Sequence, residues 1–484
     1  MLFSSIPFLY YFLPLTLLCY FLAPRRAKNA VLLLFSLVFY AWGEPKYVLF
    51  MVVSILQGYF FGRLVEKYRV SNPRRSKLFL TASVLFSLLL LGYCKYADFF
   101  IRSFNAVTGL SVPLLRVALP IGISFYTFQI LSYVVDVHRG TVAAQRNLID
   151  LGTYIAMFPQ LIAGPIVRYA DIEPQLKERR STPAMIAAGA QRFVLGLGKK
   201  VLIANVLYQL ITVYKATTQP SVLYSWMYAA AYMLHIYFDF SGYSDMAIGL
   251  GKIFGFTFAE NFNYPYISRS VTEFWRRWHM SLGSWFRDYV YFSLGGSRCA
   301  PWRHYLNIVI VFVCSGLWHG ADWRYLAWGL ATGLCAAFGV MTAKARKRLN
   351  RFNPLYRMGW FKALWQCLVT NALFCLTLVF FASAIYNTDP FAVYGSLLQG
   401  WDGLAGSWAQ VSGLIYSSGI DGRLPVVLLF GCFVVFAAEH GGRSVARWIR
   451  QQVWPLRWTL YYGAAAAILF FAAFGQSAFI YQQY

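Results

Sequence analysis

Long apolar runs separated by short polar segments fill the chain from one end to the other. The clearest runs lie at 6–23, 30–42, 47–64, 78–97, 117–137, 323–343, 364–386, 424–438 and 459–481. Most of them approach the ~20 residues that a helix needs to cross a bilayer. The pattern predicts an all-α polytopic membrane protein.

The middle of the chain is more interrupted. Its apolar runs, at 148–167, 184–213, 222–240 and 243–258, contain Pro159, Pro165 and many glycines. Such interruptions are tolerated in broken or re-entrant helices, where the backbone is buried in protein or lines a wet cavity. No internal repeat, low-complexity tract or soluble domain is evident, so we expect residues 1–484 to form one integral-membrane domain.

Composition supports the membrane assignment and removes a competing one. Hydrophobic residues make up 59% of the chain and charged residues 13%, against about 25% charged in soluble domains. The net charge of +25 would suggest a nucleic-acid partner in a soluble protein. Here the basic residues lie in short loops between apolar runs, which is typical of cytoplasmic loops. We therefore expect a membrane-lipid environment and no nucleic acid.

The distribution of charge also predicts the topology. Loops 66–77, 344–362 and 441–458 carry a surplus of Lys and Arg, whereas segment 387–422 has three aspartates and neither Lys nor Arg. The basic loops should face the cytoplasm, which places the N-terminus outside. The eight cysteines are scattered and lack metal-ligand spacing, so no metal site is predicted.

The stretch Val271–Gly320 concentrates histidines, arginines and tryptophans in an otherwise apolar protein. Its first part begins with the capping-box pattern Ser270-Val-Thr-Glu273. The pattern predicts one helix from there to about Leu294, ending at Gly295-Gly296. On that helix His279 would share a face with Trp275, beside an aromatic wall that could hold a ligand.

The second part leads to another histidine. The apolar run Tyr305–Trp318 has fourteen residues, a rise of about 21 Å as a helix, so His319 would lie short of the far membrane surface. Gly316 and Gly320 would leave room for a substrate beside its ring. A neutral histidine there could accept a proton from an attacking hydroxyl. Packing or helix capping is the alternative role of such a buried histidine.

Several motifs in and around this stretch resemble the membrane-bound O-acyltransferase (MBOAT) family, in its alginate O-acetylation branch. They are Glu273–Leu282, Trp285–Tyr289, Leu294–Arg298 and Leu317–Gly320, together with Asp239–Ala247, Glu260–Asn263 and Tyr40–Pro45. The resemblance covers nearly the whole chain, with the core motifs within about 120–342. It implies a bundle of roughly 11–14 helices, some re-entrant, around a central funnel or tunnel. It also implies that His319 matches the catalytic histidine of the family and His279 a second histidine beside the tunnel.

The resemblance further implies an O-acetyltransferase of the bacterial plasma membrane that modifies alginate or a similar exopolysaccharide. The donor would be acetyl-CoA or another acyl thioester, with no tightly bound cofactor. Trp275, Arg276, Arg277, Trp278 and Trp318 are candidate substrate- or donor-binding residues. Related systems use an extracytoplasmic serine-hydrolase-like acetyltransferase partner, and we expect one here, with a polysaccharide as the acceptor.

Two departures and two other functions complete the sequence-based picture. The chain has Phe381-Ala-Ser383 where alginate-type members often carry Phe-Arg-Ala, and its terminal Phe479–Tyr484 is altered; we expect neither to touch the catalytic region.

A transporter or flippase would also place polar residues at mid-membrane, although no repeated halves are evident. A scaffold subunit of an envelope polysaccharide complex would leave both His279 and His319 dispensable.

Overall fold

The computed structural model is helical throughout the part of the chain that it describes: residues 1–43, 45–162, 164–217, 220–350, 352, 356, 358–399, 401–417, 423 and 445–472. The α-helices are α1 Leu13–Leu22, α2 Lys28–Ala41, α3 Val48–Arg69, α4 Pro73–Leu91, α5 Ala97–Thr108, α6 Ile123–Arg139, α7 Leu148–Ala156, α8 Phe158–Leu161, α9 Tyr169–Lys177, α10 Pro183–Gly198, α11 Asn205–Ala216, α12 Val222–Ile253, α13 Val271–Arg277, α14 Met280–Phe286, α15 Pro301–His319, α16 Trp323–Met341, α17 Ala343–Leu349, α18 Gly359–Tyr386, α19 Pro390–Leu398, α20 Leu404–Ser417, α21 Val445–Gln451 and α22 Trp454–Phe471. The all-α prediction is confirmed.

Four helical stretches of the described chain are long and apolar enough to cross a membrane: Pro45–Arg69, Pro73–Thr108, Pro183–Lys215 and Gly359–Tyr386. A fifth results if α16 and α17, bent by 57° at Thr342, are counted as one. These stretches agree with a multi-pass membrane protein, as the apolar runs predicted. The predicted span 424–438 and the end of the predicted span 459–481 lie outside the described residues.

The interrupted middle of the chain is partly as predicted and partly different. Residues 148–167 are indeed broken, into α7 and α8. The run 222–240 and the first part of the run 243–258 lie in one helix, α12, of 32 residues, so the two runs are not separate helices. Gly242 packs against the Gly196 carbonyl, and a Cβ at this position would lie only 2.8 Å from that carbonyl oxygen. The glycine therefore permits a close helix crossing and does not end the helix.

The described residues form two compact units by their internal contacts. The first contains Met1–Phe193 and Ser244–Ala259, and the second contains Val194–Tyr243 and Glu260–Gln483. In the first unit an aromatic core is built on Phe158, whose ring lies 5.3 Å from Phe12 and 5.8 Å from Phe254. A half-buried Arg192–Asp245 ion pair at 2.8 Å joins α10 to α12 within this unit.

The second unit contains every residue singled out as a candidate site residue. Its most intimate pairing is the hairpin of α15 and α16, which are separated by only Gly320–Asp322. Asp322 caps α16 by accepting a hydrogen bond from the backbone N–H of Arg324 at 2.8 Å. This short connection fixes His319, the last residue of α15, at the turn of the hairpin.

Candidate active site

The helix predicted to run from Ser270 to Leu294 is interrupted at His279. The Ser270 side chain caps the helix as expected by accepting from the Glu273 N–H at 3.2 Å, while the Glu273 carboxylate accepts from the Arg269 N–H at 2.9 Å. Helix α13 then ends after seven residues, and His279 adopts a left-handed conformation with φ of 44°. A second seven-residue helix, α14, follows. The single-helix prediction is therefore wrong, and so is the shared helical face assigned to His279 and Trp275.

A neighbouring segment satisfies the backbone groups that this break exposes. The N–H of Asn263 donates to the Arg277 carbonyl, and the N–H of Met280 donates to the Asn261 carbonyl, both at 2.9 Å. Buried backbone groups without such partners would be costly. The strained conformation of His279 is thus held from both sides by residues 261–263.

The same segment orients the His279 ring. The Asn261 side-chain oxygen lies 3.0 Å from Nδ1 of His279 and accepts from the Ser281 hydroxyl at 2.9 Å. Because this oxygen only accepts, Nδ1 carries the proton and Nε2 is the basic nitrogen of the neutral ring. Burial lowers the pKa of His279 to about 3, because the buried charged ring loses its hydration. His279 is therefore neutral at physiological pH.

His319 lies in an aromatic enclosure. Its ring centroid is 5.2 Å from that of Trp328 and 5.0 Å from that of Phe381, both nearly edge-to-face. Only 6% of His319 is exposed. The rings fix the orientation of the imidazole and keep bulk water from it, which suits a neutral histidine that handles a proton.

Trp318 connects the two histidines. Its ring centroid lies 4.9 Å from the His319 ring and 6.0 Å from the His279 ring, and the tryptophan itself is buried. The two histidines, forty positions apart in the sequence, thus flank a single indole. Phe240 of α12 closes the other side of His279, with ring centroids 4.6 Å apart. The structure therefore brings the two predicted histidines into one cluster.

The glycines beside His319 serve a different purpose from the predicted one. A Cβ at Gly320 would overlap the Tyr325 ring, and a Cβ at Gly316 would overlap the Tyr325 carbonyl. The space is filled by α16, so these glycines allow the hairpin to close and do not leave room for a substrate. Helix α15 also begins at Pro301 and has nineteen residues, about 28 Å of rise. The argument from a short helix that sets the depth of His319 is therefore wrong.

The candidate binding residues divide into buried and exposed groups. Trp278 is buried, and its ring stacks on the Phe274 ring with the centroids 5.6 Å apart. Trp275 is only half-buried. Arg277 pairs with Glu273 at 3.0 Å and donates to the Asn263 carbonyl at 3.1 Å. Arg276 is exposed. Arg277 thus helps to hold the break at His279, a role that the sequence pattern did not suggest.

One departure lies next to the site in the sequence, and one residue was overlooked. Phe381, which both versions of the motif share, contacts the His319 ring, and the altered residues Ala382 and Ser383 follow it directly. The terminal Phe479–Tyr484 lies outside the described residues.

Asn261 received no role from the sequence, although the Glu260–Asn263 motif contained it. Its place in that motif was the available signal. Within the described chain no cluster of three or more His, Cys, Asp or Glu could hold a metal.

Comparison with known proteins identifies the class to which this fold and cluster belong. The family model described as MBOAT, membrane-bound O-acyltransferase family, matches residues 138–383, which include His279, His319 and their aromatic enclosure. The chain belongs to the MBOAT family, as the motifs predicted.

Individual relatives are named for acyl transfer to several polymers. The chain is 46% identical over 334 residues to a probable alginate O-acetylase AlgI of Azotobacter vinelandii, covering 68% of this chain and 66% of the relative. It is 45% identical over 364 residues to the protein of the same name from Pseudomonas putida, covering 73% and 74%. A peptidoglycan O-acetyltransferase of Helicobacter pylori is 33% identical over 387 residues, covering 73% of each chain. The predicted enzyme class, acyltransferase, is that of the family and of these relatives.

Proposed function

We propose that this protein is a membrane-embedded O-acetyltransferase of the bacterial plasma membrane. It would pass acetyl groups from a cytosolic acyl thioester, in the simplest case acetyl-CoA, toward an extracytoplasmic polysaccharide. The observation that carries the proposal is the pair of histidines around Trp318, with ring centroids 4.9 and 6.0 Å from the indole. Family membership supplies the reaction class, and the enclosed imidazoles supply groups that can move its proton.

His319 is proposed as the general base. Its imidazole accepts the proton of a hydroxyl while the hydroxyl oxygen attacks the thioester carbonyl carbon. The carbon–sulfur bond then breaks, and the imidazolium returns the proton to the departing thiolate. An ester and a free thiol result, and the base is regenerated without a metal or an external reductant. Such proton transfer typically contributes about 10²–10⁴-fold to the rate.

His279 is proposed as a second catalytic histidine with a fixed tautomer. Asn261 keeps its proton on Nδ1, so Nε2 can accept a hydrogen bond from an N–H or O–H of the substrate other than the attacking hydroxyl, whose single proton goes to His319. Trp318 would form the wall between the two rings, with Trp275 lining the approach. The role of His279 would be to orient the substrate, and its loss should be less severe than the loss of His319.

The acceptor is proposed to be alginate or a similar exopolysaccharide. Relatives named for alginate share about 45% identity, whereas one named for peptidoglycan shares 33%. The chain covers 66% of the first of these relatives, so acceptor and partner are carried over as proposals. Delivery across the membrane would use an extracytoplasmic serine-hydrolase-like partner as the final acetyltransferase.

The reaction can be tested with purified protein in lipid nanodiscs. Acetyl-CoA labelled in the acetyl group is added with short alginate oligomers and the serine-hydrolase-like partner, and both thiol release and labelled ester are measured. The proposal predicts thiol release that depends on an acceptor hydroxyl. Uptake of acetylated oligomer into sealed vesicles with no thiol release at all would instead favour a transporter.

A further inference from the structure

The enclosure of His319 contains a second polar group, the indole N–H of Trp328. Trp328 lies on α16 and is 3% exposed. Its ring centroid is 5.2 Å from that of His319, 5.1 Å from that of Phe381 and 6.0 Å from that of Trp275. Rings from α13, α15 and α18 therefore hold this indole beside the proposed base.

The indole nitrogen of Trp328 is buried from bulk solvent and has no acceptor among the residues that the structure describes. An indole N–H can only donate a hydrogen bond, and the two other rings beside it, those of Phe381 and Trp275, provide no oxygen or nitrogen acceptor. A buried donor without an acceptor is unfavourable, because it has lost its hydrogen bond to water. The N–H of Trp328 therefore fits an acceptor atom that enters the enclosure with a substrate.

A second buried donor on α16 provides a contrast. The hydroxyl of Thr332, one turn after Trp328, also lacks a partner within the described chain, and Thr332 is 3% exposed. It lines a gap of about 10 Å³ beside Trp275, which has room for about one water molecule. Trp328 does not line this gap. A water can thus satisfy Thr332, whereas the N–H of Trp328 requires an acceptor on the side of His319.

We propose that Trp328 is a further catalytic residue, whose indole N–H donates a hydrogen bond to the carbonyl oxygen of the acyl thioester. The inference rests on the proposed function and adds the group that stabilises its tetrahedral intermediate. The carbon attacked by the hydroxyl must lie next to His319, which takes the hydroxyl proton. The oxygen on that carbon is then within reach of an indole whose ring contacts the same imidazole.

The step needs no additional reactant. When the hydroxyl oxygen bonds to the carbonyl carbon, the electron pair of the C=O bond moves to the carbonyl oxygen as negative charge. The N–H of Trp328 stabilises that charge and keeps its own proton. The carbonyl re-forms as the carbon–sulfur bond breaks, and the thiolate takes the proton from the His319 imidazolium. A donor fixed by packing in a dry site is effective because it need not reorient during the reaction.

The first test removes the N–H and keeps an aromatic ring. Trp328→Phe should lower kcat by about 10²–10³-fold, as for loss of one oxyanion donor, with little change in the KM for acetyl-CoA. Thr332→Val is the matched control, because it removes a buried donor one turn away and should keep the wild-type kcat. A wild-type kcat in Trp328→Phe would overturn the proposal, as would an equal loss of kcat in Thr332→Val.

A second variant separates the N–H from the shape of the ring, because phenylalanine is smaller than tryptophan. Benzothienylalanine at position 328 keeps the bicyclic shape and replaces the N–H with sulfur. Its kcat should fall as far as that of Trp328→Phe, while its melting temperature and the KM for acetyl-CoA stay at the wild-type values. Activity near the wild-type rate would show that only the shape of the ring matters and would overturn the proposal.

Infrared spectroscopy tests the contact without turnover. Acetyl-CoA with an isotope label at the acetyl carbonyl is bound to protein in nanodiscs in the absence of acceptor. The carbonyl stretching frequency should be lower in the wild-type protein than in the benzothienylalanine variant, and equal frequencies would overturn the proposal even if the wild-type protein transfers acetyl groups. If the frequency is lower as expected while the wild-type protein releases no thiol with acceptor present, the contact stands and the proposed reaction fails.

Discussion

At the scale of single residues, the tautomer of His279 depends on one amide oxygen. Asn261 accepts from Nδ1 at 3.0 Å and is itself fixed by Ser281. Partners that orient metal-bound histidines typically contribute about 10–100-fold to activity, and we expect a contribution of the same order from Asn261. The role of His279 can therefore be examined without changing the histidine itself.

We predict that Asn261→Ala lowers kcat by about 10–100-fold with little change in the KM for the donor. Asn263→Ala is the control, because Asn263 takes part in the same break through its backbone and its side chain is exposed. Steady-state kinetics of the two variants in nanodiscs give the comparison. Equal losses in both variants would show that the segment acts only as support for the fold.

Asn261→Asp makes a separate prediction about pH. The wild-type pKa of His279 is about 3 because burial disfavours the charged ring, so its titration leaves the profile flat between pH 5 and 8. A carboxylate at Asn261 would stabilise the imidazolium and raise that pKa. Activity of the variant should then fall as the pH is lowered, and this fall should begin at a higher pH than in the wild-type protein. A profile of kcat/KM against pH that is superimposable on the wild-type profile would contradict this role.

At the scale of elements, the hairpin of α15 and α16 depends on a close approach of backbones. A Cβ at Gly316 would overlap the Tyr325 carbonyl, while one at Gly339 on the same hairpin has nothing within 4 Å. We predict that Gly316→Ala destabilises the protein by about 1–3 kcal/mol through overpacking. Gly339→Ala should be neutral or slightly stabilising, because alanine favours helix. Thermal melting in detergent measures both, and equal melting temperatures would argue against this packing.

The elements also show what sequence patterns can and cannot specify. The capping box at Ser270 and most apolar runs are local signals, and a helix starts after Ser270 and lies within most of these runs. The break at His279 is stabilised by backbone hydrogen bonds with residues 261–263. The helical periodicity of residues 271–294 contains no information about these distant partners. Gly242 shows the opposite error: a glycine read as an interruption lies inside α12, because its meaning depends on the helix packed against it.

The candidate site was predictable in the same uneven way. His279 and His319 could be selected because histidines are rare in apolar sequence and lie in recognisable motifs. Their common neighbour Trp318 and the enclosure by Phe240 and Phe381 depend on tertiary packing. The glycines beside His319 were misinterpreted because sequence alone does not show which element fills the space above them.

At the scale of the whole molecule, the surplus of basic residues predicts orientation. Loop 344–362 should face the cytoplasm, with the N-terminus outside. Lys344→Cys, in a background without the eight native cysteines, should resist a membrane-impermeant thiol reagent in intact cells and react after permeabilisation. Ready labelling in intact cells would contradict the predicted topology.

The central claim is that His319 is the base for acyl transfer, and one measurement tests it most directly. His319→Ala is purified beside wild-type protein and assayed for thiol release and acetyl ester with acetyl-CoA, alginate oligomers and the partner acetyltransferase. The account predicts a monodisperse, folded variant whose rate is reduced by about 10²–10⁴-fold, with His279→Ala reduced less. A folded His319→Ala protein that transfers acetyl groups at the wild-type rate would contradict the mechanism.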